Sequence, residues 1–205
     1  MESSDADYLY ARTSPALLAV HASERAASEF ETAMSGDAER WFFAITDMHQ
    51  ALTAALVETL SGTAGIGALT ERNQKQWLGH FNHTPGCQPP NQYRIVEFET
   101  LVDRAVDVAN VHNMHGTLKL TEAESRDILR LNEFRNDLAH VKPRGWSLEI
   151  AGLPRIFGAA ANAMRQLFDM APLRLHLDDD QIQRADKAIT LIANRMAAVS
   201  SARVD

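Results

Sequence analysis

The sequence predicts an all-α protein, an up-and-down helical bundle of four to five core helices plus flanking helices. Three observations predict it. Apolar residues recur at spacings of three and four through most of the 205 residues. No stretch alternates apolar and polar over a strand's length. Helix starts and stops punctuate the chain at Ser14-Pro15, Ser35-Gly36, Thr121 with Glu124, Pro143 and Pro172. The apolar share of 45% and charged share of 23% are those of an ordinary globular domain long enough to bury a core. The whole of 1–205 reads as one domain, with an N-terminal helix over 1–34, a loop-rich insertion at 61–94 and a C-terminal helix over 178–200.

Ser14 as N-cap and Pro15 at the first helical position open a helix that Ser35-Gly36 stops. The next segment, residues 37–60, is the most apolar. Trp41, Ile45, Met48, Leu52, Leu56 and Val57 recur at helical spacing and make it a central core helix. From Ser61 the character changes: "SGTAGIGAL" holds three glycines, "TERNQKQWLGHFN" is a short polar helix, and "HTPGCQPPNQ" has three prolines in ten residues. Helical periodicity returns in residues 94–111, where Val96, Leu101, Ala105 and Val108 form a stripe. Thr121 and Glu124 make a capping box before "EAESRDILRLNEFRNDLAHV". Pro143 disfavours helical geometry at Lys142, so this helix ends near Val141. A small-residue-rich helix follows over 153–170. After the break at Pro172, the last helix begins with Asp178, Asp179 and Asp180 at its positive end.

Formal net charge is −7, which argues against a sequence-independent DNA coater built on many phosphate contacts. The cations are sixteen arginines and four lysines, and arginine is the better bidentate phosphate ligand. Cys87 is the sole cysteine, so no disulfide forms within the chain. The N-terminus lacks a basic region followed by an apolar core, and no apolar run reaches the roughly 18–20 residues of a membrane span. The expectation is a cytoplasmic protein with no membrane partner.

The stretch "LNEFRNDLAHVKPRGWSLE" carries Arg135, Asn136 and His140 on the last two turns of a helix. With Arg135 at 0° on a wheel of about 100° per residue, Leu131, Phe134, Leu138 and Val141 fall at about 320°, 260°, 300° and 240° and face the core. Asn136 at about 100° and His140 at about 140° point away from it, flanked by Arg135. Asn136 and His140 form an i, i+4 pair within reach of each other. Arg126 and Arg130 lie elsewhere on the wheel and read as solvated surface. Lys142 and Arg144, in the turn after His140, are the closer candidates for guiding a substrate. The plain alternative is that basic residues near a helix C-terminus simply complement its dipole and free carbonyls.

The segment "RNDLAH", Arg135 to His140, resembles the R-x(4–6)-H motif of the HEPN superfamily, in which Asn, Asp or His often follows the arginine. These are small helical-bundle proteins of prokaryotic defence, toxin–antitoxin and RNA-processing systems. The likeness extends over about 36–170, with only the six-residue motif specific. It implies a metal-independent endoribonuclease that needs no cofactor, with Arg135, Asn136 and His140 catalytic and Lys142 and Arg144 binding substrate. RNA carries its own nucleophile, the 2′-OH. An imidazole moves protons near neutrality, and a guanidinium forks onto the phosphate as charge builds. The resemblance also implies a homodimer whose two motifs face each other, single-stranded RNA as substrate and an antitoxin or regulatory protein as partner. A non-catalytic member of the same fold, acting in dimerisation or RNA binding, is the alternative.

A third class stays open on His80, His83 and Cys87 in one loop and His112 and His115 in another, residue types that bind zinc, although no finger spacing matches. The three aspartates at 178–180 read as dipole complement. Trp41, Trp77 and Trp146 read as core or hinge packing.

Overall fold

The computed structural model describes residues 12–201 apart from 63, 111, 114 and 141–146. The described residues form eight helices: α1 (Pro15–Met34), α2 (Arg40–Ser61), α3 (Glu71–Phe81), α4 (Phe98–Val106), α5 (Glu122–Ala139), α6 (Leu153–Asp169), α7 (Ala171–His176) and α8 (Asp179–Ser201). They contain no strand, only an isolated bridge between Leu69 and Ile95. The protein is an all-α helical bundle.

α1 begins where Ser14 Oγ accepts from the Leu17 amide, with Pro15 supplying the first helical residue. A short connection then returns the chain as α2. Arg25 meets Asp47 and, nearer the connection, Phe30 meets Trp41, so α1 and α2 are antiparallel. All six apolar positions expected on the central helix are buried. α2 packs on α1, α4, α5, α6 and α7, while α8 closes the bundle against α1 and α6. Phe30, Trp41 and Phe157 meet with ring centroids 5.2–5.6 Å apart and pin α1, α2 and α6 together. The alanines of α6 at 159, 160, 161 and 163 are buried and let its neighbours approach closely. Arg184 of α8 clasps Glu24 of α1 through two bonds of 2.8 and 2.6 Å, which holds the Glu24 carboxyl below its usual range.

The insertion is tied down by backbone contacts. Arg104 Nη1 donates to the carbonyls of Gly67 and Leu69, at 2.7 and 2.8 Å, and Ile66, Ala68 and Leu69 are buried. Gly67 is required by close approach: a Cβ there would fall 1.9 Å from Leu60 O. α3 is the expected short polar helix, with Trp77 stacked on Phe81 at its exposed end. Trp41 is a core residue; Trp146 lies outside the described residues.

Two expectations need correction. The predicted helix over 94–111 is confined to Phe98–Val106, and Val108, assigned to its apolar stripe, is 84% exposed. Asn110 and Asn113 are the reason. Their amides donate to Arg104 O at 3.1 and 2.7 Å, and Asn113 also reaches Asp107 O, so side chains take carbonyls that a further helical turn would use. The short α7 was not expected, because six residues carry too little periodicity to register.

The capping box of α5 is present in full. Glu124 N donates to Thr121 Oγ1 at 3.2 Å, while the amide and then the hydroxyl of Thr121 donate to Glu124 Oε2, both at 2.8 Å, and these two bonds to the carboxylate lower the Glu124 pKa. Thr121→Ala is expected to cost about 1 kcal/mol, read as a lower urea midpoint with unchanged slope. Asp178 and Gln181 exchange a similar reciprocal pair, at 3.0 and 2.8 Å, before α8.

Candidate active site at the end of α5

α5 presents Ile128, Leu131 and Asn132 to the interior, with Phe134 and Leu138 half-buried against the core. Asp127 is also buried and meets Arg155 of α6 at 2.8 Å; burial raises its pKa more than Arg155 lowers it. This face fixes the rotation of the helix. Arg135, Asn136 and His140 are therefore exposed, on the side the wheel assigned to them. Val141, the last residue of the expected stripe, lies outside the described residues, as do Lys142 and Arg144.

The geometry within the trio differs from the wheel in one respect. The helix ends at Ala139, and His140 is its C-cap residue in an extended conformation, φ −100° and ψ 92°. The i, i+4 spacing of Asn136 and His140 therefore falls at the boundary of the helix. Asn136 Oδ1 accepts from Arg135 Nη1 at 3.0 Å. The amide thus steadies the guanidinium, and His140 sits on the first non-helical residue. Arg130 pairs with Glu133 and lies over the Phe134 ring at 4.4 Å.

Arg135 also lines a groove of about 600 Å³ between the start of α1, the outer face of α2 and Ile95. Beside it, on α2, lies His49, 6% exposed. Its Nε2 is 3.0 Å from Asn132 Oδ1, and its ring packs on Phe98 with centroids 4.5 Å apart. A carboxamide oxygen can only accept, so the imidazole proton sits on Nε2. Burial pushes the His49 pKa down to about 4; the bond to Asn132 opposes the shift and the nearby Arg135 charge adds to it. A neutral imidazole therefore lies next to Arg135 at physiological pH.

His49 and Asn132 were missed in the sequence, although a signal was there. Residue 49 shares a face with Ile45, Met48 and Leu52, and residue 132 shares one with Ile128 and Leu131. A polar side chain on each of two core faces asks for a partner, and each is the other's.

The histidines at 80, 83, 112 and 115 do not gather with Cys87. His80 lies 5.9 Å from Trp77 by ring centroids, Cys87 folds back over Gly79, and the His112 ring lies against Gly67. Among the described residues no three of His, Cys, Asp and Glu form a group that could hold a metal ion. No helix among them is long and apolar enough to cross a membrane. No protein-family model matches the sequence, and no curated protein or solved structure matches it.

Proposed function

We propose that this chain is a cytoplasmic endoribonuclease of the HEPN type, cutting RNA without metal at a site completed by a second copy, in a bacterial defence or toxin setting. The observation that carries the reading is the outward-facing trio at the end of α5. A guanidinium bonded to Asn136 and, five residues on, an imidazole at the C-cap of the helix are both exposed, and the guanidinium also lines the groove beside α2.

In this reading His140 takes the proton of the 2′-OH, or returns one to the leaving 5′-oxygen. The O2′–P bond forms, the P–O5′ bond breaks, and the products are a 2′,3′-cyclic phosphate and a 5′-hydroxyl. Arg135 neutralises the charge that grows on the nonbridging oxygens, where fixed donors have their largest effect. One imidazole cannot both remove and supply a proton in a single concerted step. A twofold partner presenting its own copy of the motif provides the second acid–base group.

The test is the purified chain with single-stranded RNA in EDTA. Cleavage is expected to persist, leave cyclic phosphate ends and accompany a dimer in sedimentation. A requirement for divalent metal, or 5′-phosphate ends, overturns the reading. A dimer that binds RNA without cutting it favours the non-catalytic module of the same fold.

A further inference from the structure

The groove shares only Arg135 with the trio; neither Asn136 nor His140 lines it. Its volume falls within the roughly 300–1,000 Å³ that small-molecule sites span. Among the described residues that line it, Arg135 alone carries a full charge, so the charge it complements is an anion. The wall is mixed. Leu18, Val57 and Ile95 supply apolar surface from three separate stretches. Thr46, Gln50 and Thr53 share one face of α2 at spacings of four and three.

The hydrogen bonds already made limit what these three can offer. Thr46 and Thr53 donate to the carbonyls of Phe42 and His49, at 2.9 and 2.8 Å, so each keeps acceptor capacity. Gln50 Oε1 accepts from Arg25 at 3.0 Å, so what it presents is its amide donors. An acyl chain would leave such groups desolvated and unmatched, a cost of about 1–3 kcal/mol for each. A nucleobase has two apolar faces and an edge carrying both donors and acceptors, and suits a wall of this kind.

We infer that the groove is a nucleobase subsite: it takes the base of the nucleotide whose phosphate is held by Arg135, with Leu18, Val57 and Ile95 on the base's faces and Thr46, Gln50 and Thr53 at its edge. The inference rests on the ribonuclease reading for its link to cleavage, and gives that site a sequence preference seated in α2. His49 is neutral there and leaves Arg135 as the anchor for phosphate.

Calorimetric titration of the four nucleoside 3′-monophosphates and inorganic phosphate into the full chain tests it, beside Thr53→Trp, which fills the groove from α2. At least one nucleotide is expected to bind tenfold or more tightly than phosphate, and Thr53→Trp to remove that advantage. Nucleotides no tighter than phosphate, or an advantage unchanged in a folded Thr53→Trp protein, overturn it. If circular dichroism shows Thr53→Trp unfolded, the methyl NMR signals of Leu18, Val57 and Ile95 in the wild type decide: shifts on titration support the subsite, and unmoved signals at saturation exclude it. Groove binding without RNA cleavage sinks the nuclease reading and leaves the subsite standing. Cleavage by folded Thr53→Trp at the wild-type rate and sequence preference does the reverse.

Discussion

Arg135→Ala is expected to slow RNA cleavage by about 10²–10³-fold, the loss typical when one preorganised donor to a developing oxyanion is removed. His140→Ala is expected to cost about 10²–10⁴-fold, the usual contribution of a positioned acid–base group. Both side chains are exposed, and surface changes of this kind usually shift stability by no more than about 0.5 kcal/mol. A thousandfold loss is about 4 kcal/mol of transition-state stabilisation, so unfolding cannot be mistaken for it. Arg135→Lys separates charge from shape. A lysine keeps the cation but lacks the planar fork and cannot reproduce both the bond to Asn136 and a bidentate hold on phosphate, so it should recover only part of the rate. Single-turnover rates with unfolding midpoints for each variant are the measurements. Wild-type rates in folded Arg135→Ala and His140→Ala would end the catalytic assignment.

Local chemistry made most of the bundle legible in the sequence. Ser14-Pro15 fixes the start of α1 and Thr121 with Glu124 the start of α5, because caps act between residues three apart and need no tertiary context. The apolar stripe of α2 marks it as central for the same reason: a helix buried on several sides carries its packing in its own spacing. Interactions set by distant residues were not legible. α4 ends early because the amides of Asn110 and Asn113 reach back to its carbonyls, and propensity along the helix does not reveal that. His140 leaves the helix one residue after Ala139, which a wheel drawn to Val141 overruns. The His49–Asn132 bond joins positions 83 residues apart, and the groove draws on α1, α2, α5 and Ile95. The motif could be found in one dimension, but its surroundings could not.

Those surroundings give the other large effect. Stability is expected to fall by about 3 kcal/mol as pH is lowered from about 6.5 to about 4, on account of His49 alone. Over that window the unfolded chain takes up a proton on this imidazole, whereas in the folded chain its pKa is lowered to about 4. The unfolded state therefore binds more protons, and lowering the pH favours it. The contribution is complete above the unfolded pKa and lost as pH falls through the folded one. His112, whose pKa is also lowered by burial and by Arg104, acts with the same sign. Glu24 and Glu124, lowered by their partners, act likewise below the carboxylate range. Asp127, raised by burial, acts in the opposite sense, its contribution being present at low pH and lost as pH rises through its folded pKa. His49→Gln isolates this contribution, since glutamine does not titrate and can still donate to Asn132 Oδ1. Urea unfolding across the window should show a wild-type slope that flattens in His49→Gln, and equal slopes would remove His49 from the account. The same neutrality bears on the site, because a charged imidazole beside Arg135 would set two cations against each other. Keeping His49 uncharged leaves Arg135 in place above the acid range, where RNA phosphate would need it.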